Sequence, residues 1–252
     1  MKKFAYFPCL LLLAMLPQHH RKIFSSGGST VAISQHGPAA LTSCHTTAAA
    51  SLTCNPGTIT SVSNMLAVVD VGLGNSPAAT TVSSVTWCSS TGGGGTCTAM
   101  NAVHAITCQA ANTLCTQQFT LAAPATGTTS FVITLSGTET FDIWVEASTY
   151  SGVNQTTPVR ASSFGSCANT STTSCAITMT SATGDLTTSV VIAVWSGTYS
   201  TTQTLIILDD THGSRTGFAL DYATGASSVT STWSTTGGAA ANAGCGFSIE
   251  HA

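Results

Sequence analysis

Three carboxylates fall within a span of eight residues: Glu139, Asp142 and Glu146. Paired carboxylates are what glycoside hydrolysis requires, one as general acid and one as base or nucleophile. Side chains alternate between the two faces of a strand. Asp142, Trp144 and Glu146 therefore share one face, and Phe141, Ile143, Val145 and Ala147 line the other. Glu139 is out of phase with that face unless a bulge intervenes. The charged face reads as solvated. Trp144 is its exposed ring, and with Asp142 and Glu146 it forms a candidate glycan platform, since the apolar faces of sugars pack on aromatics as other apolar surfaces do. Trp87, Trp195, Trp233, Tyr150, Tyr199 and Tyr222 are the further aromatics that could stack on a sugar, with Trp195 expected to be buried.

A second grouping, Asp209-Asp210-Thr211-His212-Gly213-Ser214, places acid, imidazole and hydroxyl side by side. A nucleophilic serine needs a strained strand-to-helix turn, and no G-x-S-x-G occurs. The run reads as a polar turn. Asp209 and Asp210, with loop carbonyls, are hard oxygen ligands and the candidates for calcium. Apart from that weak metal candidate, no cofactor is expected. Asn154-Gln155-Thr156 and Asn169-Thr170-Ser171 fit the N-glycosylation pattern, which a threonine-rich chain produces by chance.

Ten cysteines are present. Eight form close sequential pairs, Cys44/Cys54, Cys88/Cys97, Cys108/Cys115 and Cys167/Cys175, each bracketing a stretch rich in turn residues. Facing positions on a hairpin approach closely enough for a disulfide. Four local bridges are therefore expected, each closing a loop of about ten residues worth roughly 2.5 kcal/mol in the chain-entropy account. No C-x-x-C occurs, which argues against a zinc knuckle. Of the other two, Cys9 lies in the apolar N-terminal run, and Cys245 is left over, either as a buried thiol in the last strand or as a link between chains or to the cell surface.

The elements that must position these residues are strands. After the first thirty residues no helical period persists, and short β-branched runs alternate with turn residues. Strands are predicted over 30–34, 46–53, 64–73, 81–87, 99–107, 115–122, 130–136, 141–150, 175–181, 187–195, 204–208, 217–222, 227–234 and 246–251. So many short strands at this spacing mean a sandwich or barrel. The fold class is thus all-β, a single antiparallel β-sandwich with loop disulfides, occupying residues 29–252.

Residues 1–28 read as a signal peptide or N-terminal anchor. Met1-Lys2-Lys3 precedes an apolar run closed by Pro17, too short to cross a bilayer comfortably. Cleavage is expected near 25–29. Four of the six basic residues, Lys2, Lys3, Arg21 and Lys22, lie in that segment. Beyond it two arginines face nine acids, a balance of 2 − 9 = −7. Such a chain cannot neutralise a run of phosphates, so nucleic acid is excluded as a partner. Charged residues are 6% of the chain, and Ser and Thr make up about three in ten. Hydroxyls pair well across strands, but a surface wetted by hydroxyls opposes association less than a charged one.

Asn64-Met65-Leu66-Ala67-Val68-Val69-Asp70-Val71-Gly72, followed by 82–87, resembles the opening of a family of bacterial secreted jelly-roll, lectin-like β-sandwich modules. The segments 124–133, 150–158 and 181–186 resemble its middle and later turns, so the likeness spans about 60–252. These are turn and core motifs. The resemblance implies a fold on an exported protein and carries no catalytic residues.

The reading is a secreted, non-catalytic sandwich with a structural or adhesive role at the cell surface. Its partners are a surface glycan, a surface protein or further copies of itself, with no transmembrane span once the leader is removed. The segment 30–34 is expected to add to a sheet edge, its own or a neighbour's. The alternatives are a carbohydrate-binding module and a glycan-active hydrolase.

Overall fold

The computed structural model describes residues 33–36, 44–47, 49–74, 80–109, 114–138, 142–194, 199–209, 216–236 and 240–252. The first half contributes β1 (Ser34–His36), β2 (Cys44–Thr47), β3 (Ser51–Cys54), β4 (Thr58–Ile59), β5 (Leu66–Gly74), β6 (Val82–Cys88), β7 (Cys97–Ala99), β8 (Asn101–Ala102), β9 (Thr107–Cys108), β10 (Leu114–Ala122), β11 (Gly127–Thr128), β12 (Ser130–Leu135) and β13 (Asp142–Ser151). The second half contributes β14 (Gly165–Thr172), β15 (Ser174–Thr180), β16 (Leu186–Val194), β17 (Tyr199–Thr201), β18 (Thr204–Asp209), β19 (Thr216–Thr224), β20 (Ser228–Thr235) and β21 (Ala240–Ile249). Among the described residues no helix is long and apolar enough to cross a membrane.

The pairings are nested and antiparallel. In the first half β2 pairs β13, β3 pairs β12, β4 pairs β11, β5 pairs β10 and β6 pairs β7. The chain is thus one long hairpin with its tip between Cys88 and Cys97, rolled so that successive lengths fall in two sheets. That is a jelly roll. Its inner sheet runs β1-β13-β5-β10-β8, with β2 also on β13 and β9 on β10; its outer sheet runs β3-β12-β6-β7. The second half repeats the plan. β14 pairs β21, β15 pairs β20 and β16 pairs β19, giving an inner sheet β14-β21-β16-β19-β18 and an outer sheet β15-β20-β17.

Four layers result, outer–inner–inner–outer. Val69, Val71, Ile143 and Val145 of the first inner sheet pack on Val85, Trp87, Phe131 and Ile133 of its outer sheet. Val191, Ala193 and Ala219 of the second inner sheet pack on Ile177, Val229 and Trp233. The opposite faces of the inner sheets pack on each other. Leu114 and Trp144 meet Val190, Ile192, Phe218 and Leu220, while Leu66, Val68 and Tyr150 meet Leu186, Phe247 and Ile249. The antiparallel sandwich expected from the sequence is present twice. Strands covered on both faces have no wet side, so β5 and β13 are buried almost throughout.

Several boundaries differ from the sequence expectation. The predicted strand 46–53 is broken into β2 and β3, which lie in different sheets, and Cys44–Cys54 bridges them. The predicted strand 99–107 is three short pieces. β14 was hidden inside what reads as a cysteine-bracketed loop. Of the predicted strand 30–34, residues 30–32 lie outside the described residues; the described strand is Ser34–His36, and it pairs with its own chain's β13.

The four expected cysteine pairs are bonded. They are of two kinds. Cys88–Cys97 and Cys108–Cys115 join directly opposed residues of neighbouring strands, with Cα atoms 4.0 and 4.1 Å apart. Cys44–Cys54 and Cys167–Cys175 span 5.8 and 5.7 Å and join the inner to the outer sheet of their sandwiches. The second pair occupies matching places in the two halves, each joining the first outer strand to the inner strand that precedes it. Cys245 is free and fully buried on β21, facing the first half.

Candidate functional site

The contact between the inner sheets is not uniformly apolar. On β5 the residues facing the second half are Leu66, Val68, Asp70 and Gly72, by strand alternation. Asp70 thus stands between an apolar cluster at Leu66 and Val68 and another at Leu114 and Trp144. In register beside it are Gln118 of β10 on one side and Glu146 of β13 on the other. Directly opposed side chains of paired strands lie about 4.5–5.5 Å apart at Cβ. The result is a row, Gln118–Asp70–Glu146, with all three side chains 1% exposed or less. Thr116, Ser148 and, from the second half, Thr188 flank it; all three are buried.

Gln118 donates from Nε2 to Asp70 Oδ1 at 2.7 Å. Asp70 Oδ2 and Gln118 Oε1 are buried with no hydrogen-bond partner among the described residues. Burial pushes the Asp70 carboxyl up to about 7, against the smaller lowering effect of the Gln118 bond. A carboxyl in apolar surroundings favours its neutral form because the charge loses its hydration. Cys245 lies close enough for the Asp70 charge to reinforce the effect of burial, which raises the thiol. The Tyr150 hydroxyl is raised for the same two reasons.

The glycan platform expected at Asp142, Trp144 and Glu146 is corrected here. Their face is not solvated, because the second sandwich covers it. Trp144 is 0% exposed, stacked on Phe218 of β19 with ring centroids 6.3 Å apart and planes 7° apart. His45 of β2, opposite Trp144 in register, lies 4.2 Å from it by ring centroid and hydrogen-bonds Asp142 Oδ1 at 3.0 Å. Asp142 and Glu146 are 2% and 1% exposed. No sugar reaches them in this arrangement.

Trp87, Trp233, Tyr150 and Tyr199 are also interior, while Tyr222 is half-buried. Trp87 donates to the Ala125 carbonyl at 3.0 Å, and Trp233 to Ser189 Oγ at 3.2 Å. Tyr150 and Tyr199 are buried. Asn154 Oδ1 accepts from the backbone of Thr156 and Thr157, and Asn169 donates to Asn242. Glu139, Trp195, Asp210, His212 and Ser214 lie outside the described residues, as does the side chain of Asp209 at the end of β18. The calcium candidates therefore have no described geometry. Among the described residues no group of three or more His, Cys, Asp or Glu is placed to hold a metal.

Two further buried acids went unread in the sequence. Asp221 of β19 points into the second sandwich and accepts from Ser189, Ser231 and Thr201. Burial nonetheless raises it above the usual carboxylate range, against those three bonds. Asp185, in the turn before β16, is held on both oxygens by Arg160 and also by Ser248 and His251. Burial would raise Asp185, but the Arg160 guanidinium and its other donors outweigh it and hold the carboxyl low. That cluster fastens the segment between the two halves to the end of the chain. The sequence carried a signal for Asp70: it is a lone acid inside an apolar run, 66–73, that is otherwise buried on both faces.

Five of the nine acids, Asp70, Asp142, Glu146, Asp185 and Asp221, are thus interior. The outward faces of the outer sheets present small hydroxyls instead. Ser174, Thr178, Thr180, Ser228 and Thr230 are exposed on one, and Ser51, Thr53, Ser83, Ser84 and Thr134 on the other. Fold and site together define an all-β protein of two stacked, disulfide-bridged jelly-roll sandwiches with an acidic row in the joint. Compared with protein-family models, with curated proteins and with solved structures, the chain matches none.

Proposed function

We propose that this is an exported, non-catalytic protein with a structural or adhesive role at a cell surface. The observation that carries the reading is the placement of charge: acids inside, uncharged hydroxyl faces outside. Copies bearing such faces meet little electrostatic opposition. The four disulfides support an oxidising compartment. They brace strands that already have apolar cores, which suits durability rather than folding alone. Asp142 and Glu146, two of the three acids that are candidates for hydrolysis, lie under a second sandwich, which supports a non-catalytic reading.

Self-association is part of the proposal, through the edge of β13 that β1 covers over Thr149–Ser151. A strand held by three register pairs is a short one to exchange between copies. Sedimentation of the chain from residue 29 at high concentration, with and without residues 29–40, tests this. Concentration-dependent oligomers that change on deletion are expected. Monomers under both conditions would remove the self-assembly part. Fractionation of producing cells tests the location: a cytoplasmic pool with reduced cysteines would overturn the surface role.

A further inference from the structure

We infer that Cys88–Cys97, at the tip of the first jelly roll, is a thiol–disulfide exchange site whose reaction partner is a small thiol attacking Cys97. Its position carries this. Among the eight bonded cysteines only Cys97 is exposed; Cys44, Cys108 and Cys167 are half-buried, and Cys54, Cys88, Cys115 and Cys175 are buried. β7 ends the first outer sheet, and Cys97 stands directly opposite Cys88 across its ladder with β6. The bridge thus runs from a covered cysteine toward an open edge. An attacking thiolate must reach one of the two sulfurs, in line with the bond it breaks and from the side away from the leaving sulfur. For Cys97 that side lies beyond the edge, where no further strand follows. The carbonyls of Gly93 and Gly94, 3.6 and 3.9 Å from Cys97 Sγ, belong to the tip itself. The tip, 89–96, and the strands β3, β6 and β12 carry no acidic side chain to repel an anionic thiolate.

The other three bridges lack this access. Cys108–Cys115 also joins opposed residues, but β14 and β21 of the second half pack beside β9, and both cysteines lie against the first core. Cys44–Cys54 lies against the same core, and Cys167–Cys175 against the second. In the exchange the thiolate sulfur bonds to Cys97 Sγ and the Cys88–Cys97 bond breaks. Its electron pair leaves on Cys88 Sγ, which takes a proton from water. The product carries a mixed disulfide at Cys97 and a thiol at Cys88. Return of Cys88 to Cys97 expels the small thiol and restores the bridge. The tip has other fastenings while the bridge is open. Ser89 N–H donates to the Thr96 carbonyl and Thr96 N–H to Ser89 Oγ, both at 3.0 Å. Gly92 N–H donates to Asn55 Oδ1 at 3.0 Å and Gly93 N–H to Ser130 Oγ at 2.9 Å. Exchange therefore needs no unfolding.

Dithiothreitol is the probe. Its second thiol displaces Cys97 from the mixed disulfide and closes its own ring, so each first attack is recorded as two protein thiols. The full chain is treated without denaturant at about pH 8, where the reagent's thiolate is present, quenched with iodoacetamide over time and mapped by peptide. Cys88 and Cys97 are expected to be alkylated about tenfold or more faster than any other bonded cysteine. Another bridge opening first, or all four opening together, would overturn the proposal. The direction of attack is tested with Cys88→Ser and Cys97→Ser, each leaving one thiol of the pair. In the folded variants Cys97 is expected to react with an aromatic disulfide reagent faster than Cys88, the label being located by peptide mapping. Equal or reversed rates would overturn the assignment of Cys97 as the attacked sulfur.

Discussion

Trp144 of β13 and Phe218 of β19 lie nearly parallel, 7° apart, across the boundary between the two sandwiches. The contact is possible because the residue beside Trp144 in register is Gly72. A Cβ at Gly72 would sit 2.7 Å from the Phe218 ring and 3.1 Å from Ile192. The two halves therefore meet as a ring seated over bare backbone.

Gly72→Ala is expected to destabilise the protein by about 1–3 kcal/mol through overpacking. In a Phe218→Leu background the same substitution should cost less, because the ring it strikes is gone. Urea denaturation of the two single variants and the double variant measures the coupling. Strictly additive costs would contradict the seating of Phe218 on Gly72.

Trp144→Ala removes a fully buried ring and is expected to cost about 3–5 kcal/mol. Glycan binding should not register the change in any variant that still folds. A Trp144 that is quenched by acrylamide in the native protein would contradict its burial.

Stability should fall as pH rises through the weakly acidic range. Asp70 and Asp221 are both held above their ordinary value. The unfolded chain loses these protons first, so the folded form binds more of them between about pH 4 and about pH 7, and its stability declines there. For Asp70 the step from 3.8 to about 7 is on the order of 4 kcal/mol. Asp185 acts in the opposite sense: its contribution is present above the usual carboxylate value and is lost as pH falls below it. The melting temperature is therefore expected to peak near about pH 4–5. A melting temperature that climbs steadily from acid to pH 8 would refute this.

Peptide mapping of the oxidised chain without reduction should return four local links, with one thiol in residues 29–252 that reacts only after unfolding. Replacing both Cys167 and Cys175 by serine is expected to cost about 2–3 kcal/mol. A scrambled linkage, or a Cys245 found bonded to a second chain, would count against the assignment.

The strands and the cysteine pairs were legible in the sequence because both are local signals. Alternation over 142–147 separates the two faces of β13 as the structure has them. What it could not tell was which face met water, since a second sheet packed on the polar face leaves no mark in period. Trp144 and Glu146 were misplaced for that reason, although Asp70 in its apolar run carried the same warning. β14 was missed because its outward residues are small and polar, so a strand there looks like a loop. The doubling of the fold was invisible because the two halves share pairing order and disulfide placement rather than residues.

The nested pairing also sets the order in which the chain can be completed. Residues that pair across nearly a whole half must wait for each other, which makes for high contact order and slow closure. β21, the last strand, sits in the middle of its sheet between β14 and β16. β14 cannot join the second inner sheet until β21 arrives to stand between it and β16. During synthesis the first jelly roll can finish alone, with Asp70 still facing water and free to stay ionised. Arrival of β21 then dries it, so the step that closes the joint is also the one that favours the protonated carboxyl.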